Sequence, residues 1–226
     1  MKAIFFDMDG VLIDSENFYM TGTYDWIKKK GFKGSFFEVL KLIGTDMTGT
    51  YNLLYKMLNG RYTIDEIKQM NTKYFKEHPI CYKDIMFDKS VDFLSFLKEN
   101  NVKTALCSSS DKKLVKKVLI DCKIEKYFDI VISAEDVKNV KPNPEIYLKA
   151  KDMLNIKTED IFVIEDSTMG IEAGKRAGFK VIAIKDERFN QDQSKADICL
   201  KDFLEIKNFL KKEFSLKEKI WWKIFF

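Results

Sequence analysis

Short apolar runs recur along the chain at Ala3–Phe6, Lys103–Cys107, Ile130–Ile132, 161–164, 181–184 and, more weakly, Ile198–Leu200. Each has the length of a strand. Several are continuously apolar rather than alternating, the pattern of strands buried on both faces of a parallel sheet. Between most of them the apolar residues switch to helical spacing. In 88–100, Val91, Phe93, Leu94 and Leu97 fall mostly on one face, and in 111–122 Leu114, Val115, Val118 and Leu119 do the same. Asn143-Pro144-Glu145 predicts a helix with proline in its first turn, and 168–178 predicts another. From about residue 80 onward, strand–helix alternation predicts an α/β, doubly wound (Rossmann-like) parallel sheet.

One interval breaks the alternation. About a hundred residues separate the first apolar run from the second. Ser35 with Glu38 and Thr63 with Glu66 form capping-box patterns, and Leu53, Leu54, Met57 and Leu58 have helical spacing. The expected organisation is an α/β core of residues 1–15 and 81–226, with a small helical domain, 16–80, inserted after the first strand. There is no internal repeat, no low-complexity tract and, with three prolines, no proline-rich linker.

Composition narrows the chemistry. With 226 residues, 33% charged and 46% hydrophobic, the chain is globular and long enough for one core and an appendage. The net charge of +4 is not spread evenly. Residues 207–226 hold six Lys and two Glu, which account for all of it, so no broad basic surface is implied and nucleic acid is not an expected partner. The single histidine, His78, excludes sites needing two imidazoles. A Ser-His-Asp or Cys-His arrangement would have to use this one residue, beside the helix-breaking Pro79. Cys81, Cys107, Cys122 and Cys199 form no C-x-x-C pair, and Asp7 and Asp9 interrupt the first apolar run, so no signal peptide is read there. A cytoplasmic location with free, mostly buried thiols is expected. No apolar run approaches the ~18 residues of a membrane span. Carboxylates are left to carry any hydrolytic chemistry.

They stand where the sheet would place a site. Ligands of open α/β sheets bind beyond the carboxyl ends of strands. The first strand runs into Asp7-Met8-Asp9-Gly10, in which one carboxylate can serve as nucleophile and metal ligand and the other as acid and base. Gly10 allows a sharp turn that brings amides close to an anion. A calcium loop starting at Asp7 would need Glu at its twelfth position, which is Phe18. The second strand ends in Cys107-Ser108-Ser109-Ser110-Asp111, hydroxyls and amides suited to cradle phosphate; Ser110 or Asp111 is expected to cap the helix while Ser108 points at the site. Lys141, before Pro142 and Pro144, is a positive charge on a stiff backbone. Another strand ends in Glu165-Asp166. Adjacent side chains diverge, so one can hold a metal and the other a bound water, and an all-oxygen donor set selects a hard ion, Mg2+ with retained waters. Gly170, Gly174 and Gly178 lack the dinucleotide-binding spacing. They read as helix packing with Gly178 as C-cap.

In order, Asp7-x-Asp9-Gly-Val-Leu-Ile-Asp-Ser15, then Ser108, then Lys141-Pro-x-Pro144, then Glu165-Asp166-Ser-x-x-Gly170-Ile resemble the haloacid dehalogenase superfamily of phosphotransferases over nearly the whole chain. The first motif and the helical insertion resemble its β-phosphoglucomutase and sugar-phosphatase branch. The resemblance implies a 3-2-1-4-5 sheet order and a cap domain closing over the core, with Asp14-Ser15 a candidate hinge. It implies that Asp7 forms an aspartyl-phosphate, while Asp9 protonates the leaving alkoxide and then activates water. It implies further that Mg2+ is held by Asp7, the Asp9 carbonyl and Asp166, with Glu165 supporting through water, and that Gly10, Ser108, Ser109 and Lys141 hold the phosphate. Family dehalogenases carry an aromatic residue at the place of Asp9, so Asp9 points to phosphoryl transfer. The mutases carry Lys, Arg and His in the cap where Ile43, Met47 and Tyr19 stand here; Lys41, Arg61 and Lys73 are other cap cations. The expectation is therefore a magnesium-dependent phosphatase, monomeric, acting on a small phosphomonoester such as a sugar or polyol phosphate. A sugar phosphate mutase and a catalytically weak, phosphate-binding regulatory protein are the alternatives. Finally, two Trp and two Phe interleave with Lys in 217–226, so the tail 216–226 is expected either to contact a membrane surface or a second subunit, or to pack as a terminal helix.

Overall fold

The computed structural model describes residues 2–189 and 191–214, so the tail 216–226 lies outside the described residues. Six strands form one parallel sheet: β1 (Ala3–Phe6), β2 (Lys103–Cys107), β3 (Ile130–Ile132), β4 (Ile161–Glu165), β5 (Lys180–Ile184) and β6 (Ile198–Leu200), in the order β3-β2-β1-β4-β5-β6. The weakest apolar run, Ile198–Leu200, adds an edge strand to the order 3-2-1-4-5. The chain winds outward in both directions from β1, whose neighbours are β2 and β4. That makes the end of β1 a topological switch point.

The chain divides into two units, one holding β1 up to Ile13 and resuming at Met86, the other Asp14–Ile85. The second unit is helical: α1 (Ser15–Lys29), α2 (Phe36–Val39), α3 (Met47–Met57) and α4 (Ile64–Glu77). Both capping boxes form: the Ser35 amide donates to Glu38 Oε1 at 3.0 Å and the Thr63 amide to Glu66 Oε2 at 2.7 Å. Trp26, Ile27, Leu54 and Ile67 centre its own apolar core. His78 ends α4, its ring stacked on Tyr74 at 4.2 Å and Nδ1 2.9 Å from the Tyr74 carbonyl oxygen, so the one imidazole closes a helix on an exposed surface.

Among the described residues, the sheet unit has five α-helices: α5 (Ser90–Glu99), α6 (Lys112–Asp121), α7 (Glu145–Leu154), α8 (Thr168–Arg176) and α9 (Phe203–Glu213). Successive strand residues point to opposite faces. Phe5 packs with Tyr147 of α7, Ile171 of α8 and, edge to face, Phe179. Phe6 meets Phe93 of α5, which stacks on Phe203 of α9. Both faces of β1 are therefore covered, and all four of its residues are fully buried, which explains its continuous apolar run. In α5, Val91 departs from expectation: it is 40% exposed while Phe96 is buried. At 100° per residue it lies about 115° from the centre of the Phe93–Leu94–Leu97 stripe. The cysteines divide too. Cys107 and Cys122 are buried, but Cys81 and Cys199, the latter on edge strand β6, are exposed. No helix among the described residues is long and apolar enough to cross a membrane.

Candidate active site

The parallel ladder sets the site's frame. Phe6 stands opposite Leu106 on one side and Ile164 on the other, so the residues just beyond them, Asp7, Cys107 and Glu165, emerge side by side. The Asp7 amide continues the ladder by donating to the Ile164 carbonyl at 3.0 Å, and the Ser108 amide donates to Ile132 at 3.0 Å. Backbone pairing thus fixes three strand ends before any side chain is considered.

Lys141, from the segment before α7, enters this frame and is buried. Its Nζ donates to Asp7 Oδ1 at 2.5 Å, Glu165 Oε1 at 2.7 Å and the Cys107 carbonyl at 2.8 Å. An ammonium has three donors, and all three are used. Burial pushes the Asp7 carboxyl up to about 7. Lys141 pulls against that shift, while the negative charges of Glu165 and Asp9 add to it. Burial also disfavours the Lys141 ammonium, but Asp7 and Glu165 outweigh it and hold the lysine above its ordinary value. Lys141 is therefore a fixed cation, and Asp7 is a carboxylate under strain from desolvation.

Glu165 is fully buried. Its Oε1 accepts from Lys141 and from the Tyr147 hydroxyl at 2.6 Å, and its Oε2 from the Asp166 amide and the Ser167 hydroxyl, both at 3.2 Å. A carboxylate offers about four acceptor positions. Protein donors fill them, which makes Glu165 first of all the anchor of Lys141. Asp166, also buried, lies against Gly10. At φ +74° Gly10 has a conformation that favours glycine, and a Cβ there would fall 2.0 Å from Asp166 Oδ2. Gly170 makes room for Glu165 in the same way, since a Cβ there would lie 1.9 Å from Oε1. Gly170→Ala is expected to displace Glu165 and to destabilise the protein by about 1–3 kcal/mol. Thermal melts check it, and a wild-type melting temperature would refute the packing argument. Gly174, whose added Cβ would meet Val181 at 2.7 Å, is a packing glycine on the sheet.

Ligand oxygens of Asp7, Glu165 and Asp166 lie within 4.8 Å of one another. If all are ionised, three carboxylates and one ammonium leave a net charge of −2 in a buried space. A divalent cation would neutralise it, and an all-oxygen donor set fits a hard ion. Asp9 stands outside that cluster. It is half-buried, and its Oδ2 accepts from the Ser110 hydroxyl at 2.9 Å. The helix cap falls to Asp111, whose Oδ1 accepts from the Leu114 amide at 2.9 Å, so Ser110 is released to Asp9. Ser108 is buried and its hydroxyl accepts from the Ser110 amide at 3.0 Å, while Ser109 is exposed. The structure thus brings Asp7, Lys141, Glu165 and Asp166 into contact and sets Gly10 against Asp166. Tyr147 and the Cys107 carbonyl join them without having been singled out in the sequence, and so do Ser110, read there only as a helix cap, and Ser167, which stood there only as part of a motif.

A family model of haloacid dehalogenase-like hydrolases matches residues 4–184. A phosphorylated carbohydrates phosphatase from Thermotoga maritima is 30% identical over 184 residues, covering 80% of this chain and 84% of that protein. A phosphoglycolate phosphatase from Aquifex aeolicus is 31% identical over 181 residues, 80% of this chain and 83% of that protein. Among solved structures, a hydrolase of the same superfamily from Deinococcus radiodurans superposes with a TM-score of 0.83 at 20% identity, over 97% of this chain and 99% of that chain.

Proposed function

Because the chain belongs to the haloacid dehalogenase-like hydrolase family, we propose that this phosphatase hydrolyses a small phosphomonoester, a sugar or polyol phosphate, through a phosphorylated Asp7 and with Mg2+ as its cofactor. The observation that carries this reading is the buried Asp7 carboxylate at a strand end, paired to Lys141 and clustered with Asp166. An Asp7 oxygen forms a bond to phosphorus as the bond from phosphorus to the leaving oxygen breaks. Asp9, oriented by Ser110, gives its proton to that oxygen. Asp9 then takes a proton from the water that attacks phosphorus, releasing orthophosphate and restoring Asp7. Lys141 offsets charge on the phosphoryl oxygens, and the turn at Gly10 with Ser108 and Ser109 supplies further donors. Asp7, the Asp9 carbonyl and Asp166 would hold Mg2+, with Glu165 beside them, and the ion supplies the positive charge that lets a carboxylate approach a phosphate dianion.

In this reading residues 16–80 form the cap that selects the leaving group. Ile43 and Met47, neutral where the mutases carry cations, favour hydrolysis over mutation of a sugar phosphate. Free cysteines support a reducing, cytoplasmic setting. The test is a panel of sugar phosphates, polyol phosphates and nucleotides, with and without Mg2+. Mg2+-dependent orthophosphate release from a sugar or polyol phosphate is expected. No release from any substrate would overturn the reading, and conversion of β-glucose 1-phosphate to glucose 6-phosphate without free phosphate would replace it with a mutase.

A further inference from the structure

Tyr147 is fully buried in α7 among apolar side chains, and no step of the proposed reaction uses it. Its hydroxyl donates to Glu165 Oε1 at 2.6 Å, the same oxygen that accepts from Lys141 at 2.7 Å. Lys141 Nζ also sits 5.0 Å from the centre of the Tyr147 ring. A phenol hydroxyl 2.6 Å from a carboxylate oxygen can only donate to it.

We propose that Tyr147 is a positioning residue that fixes where Lys141 presents its charge to a bound phosphoryl group, acting through Glu165. All three Lys141 donors are taken by Asp7, Glu165 and the Cys107 carbonyl. To meet a phosphoryl oxygen, the ammonium must turn one of them away. Tyr147 shares the charge of Oε1, so Glu165 anchors Lys141 without monopolising it. The ring supports the ammonium from a second direction. Without the hydroxyl, Oε1 keeps one side-chain partner, and Lys141 is drawn toward Glu165 and away from the phosphoryl position. The proposal rests on the phosphatase reading of the site.

Tyr147→Phe keeps the ring and removes only the hydrogen bond. With Mg2+ present, calorimetric titration with orthophosphate is expected to show a dissociation constant raised about tenfold, the scale of one hydrogen bond to a charged group. The kcat for p-nitrophenyl phosphate should fall by a similar factor, with the order of preference among phosphomonoesters unchanged. Glu165→Gln is the second variant. It should weaken orthophosphate in the same direction, and adding Tyr147→Phe to it should change binding less than about twofold, because the effect passes through Glu165. A structural role for Tyr147 would instead lower the melting temperature without moving orthophosphate affinity, or would add its full effect in the Glu165→Gln background; either result overturns the proposal. A wild-type protein that neither hydrolyses p-nitrophenyl phosphate nor binds orthophosphate would overturn the phosphatase reading, and the role of Tyr147 with it. A wild type that does both, with Tyr147→Phe identical to it, would overturn the role of Tyr147 alone.

Discussion

Asp7→Asn is expected to lower p-nitrophenyl phosphate turnover more than about a thousandfold and, in metal-free protein at pH 8, to raise the melting temperature. The two effects have one source. An amide oxygen is a poor nucleophile for phosphorus, so in the proposed reaction the first bond is not made. The amide is nevertheless nearly isosteric, can accept from Lys141, and carries no charge into a largely buried position. Burial raises the Asp7 carboxyl from 3.8 to about 7. Below about pH 4 the acid is protonated whether the chain is folded or unfolded, so it contributes no difference. Between about 4 and 7 the folded protein keeps a proton that the unfolded chain has released. Stability therefore falls as pH rises through that window, and above about 7 the full penalty is present. Asn bears no such penalty. The gap between variant and wild type should open from pH 4 to pH 7 and stay constant above it, at about 2–4 °C per kcal/mol for a chain of this size. Loss of turnover with no stabilisation at pH 8 would place the strain elsewhere than in Asp7. Full turnover in the variant would remove Asp7 as nucleophile.

Much of the sheet is legible in the sequence because burial on both faces leaves a plain mark. Ala3–Phe6 has no polar position since Phe5 and Phe6 each meet aromatic rings on opposite sides. Val91 is apolar but lies well off the Phe93–Leu94–Leu97 stripe at 100° per residue, so its residue type suggests burial while its helical position leaves it exposed. The acidic strand ends were legible as residue types in a motif, and the parallel register turned them into neighbours. The positioning groups were hidden for different reasons. Tyr147 sits between Ile146 and Ala150 and reads as one more apolar residue on a helix face. Ser110 looks like a cap until Asp111 takes that place. Gly170 belongs to a four-residue glycine spacing that suggests only close packing on the sheet, as holds for Gly174, whereas it clears the space of the Glu165 carboxylate. Ser110 reaches Asp9 across 101 residues and Tyr147 reaches Glu165 across 18, while Gly170 faces Glu165 only once the helix packs back on its strand, so each role depends on a contact between elements that helical or strand periodicity does not encode.

Lys141→Met should produce the largest loss of stability. A buried charge is tolerated when it is paired, and removing one partner leaves the other uncompensated, at a cost of about 3–5 kcal/mol. Here one ammonium serves two carboxylates, so its loss leaves Asp7 and Glu165 together with no cation between them. A melting temperature lower by on the order of 10 °C follows for a chain of this size. If Lys141 faces the phosphoryl oxygens as proposed, turnover should drop about a hundredfold or more, since a preorganised cation is lost. The pH dependence distinguishes this from simple loss of packing. Without the ammonium, the lowering influence on Asp7 disappears while burial and the charges of Glu165 and Asp9 remain, so its carboxyl is driven above the value of about 7 that it has in the wild type. A carboxyl raised in the folded state takes stability away as pH increases. Metal-free Lys141→Met should therefore stand closer to wild type at pH 5, where protonation relieves the repulsion, than at pH 8. A deficit equal at both pH values would mean that the methionine merely packs badly. Adding Asp7→Asn should recover part of the loss at pH 8, because it removes one of the two charges the lysine had compensated, and strict additivity of the two changes would show that Asp7 and Lys141 are not energetically paired.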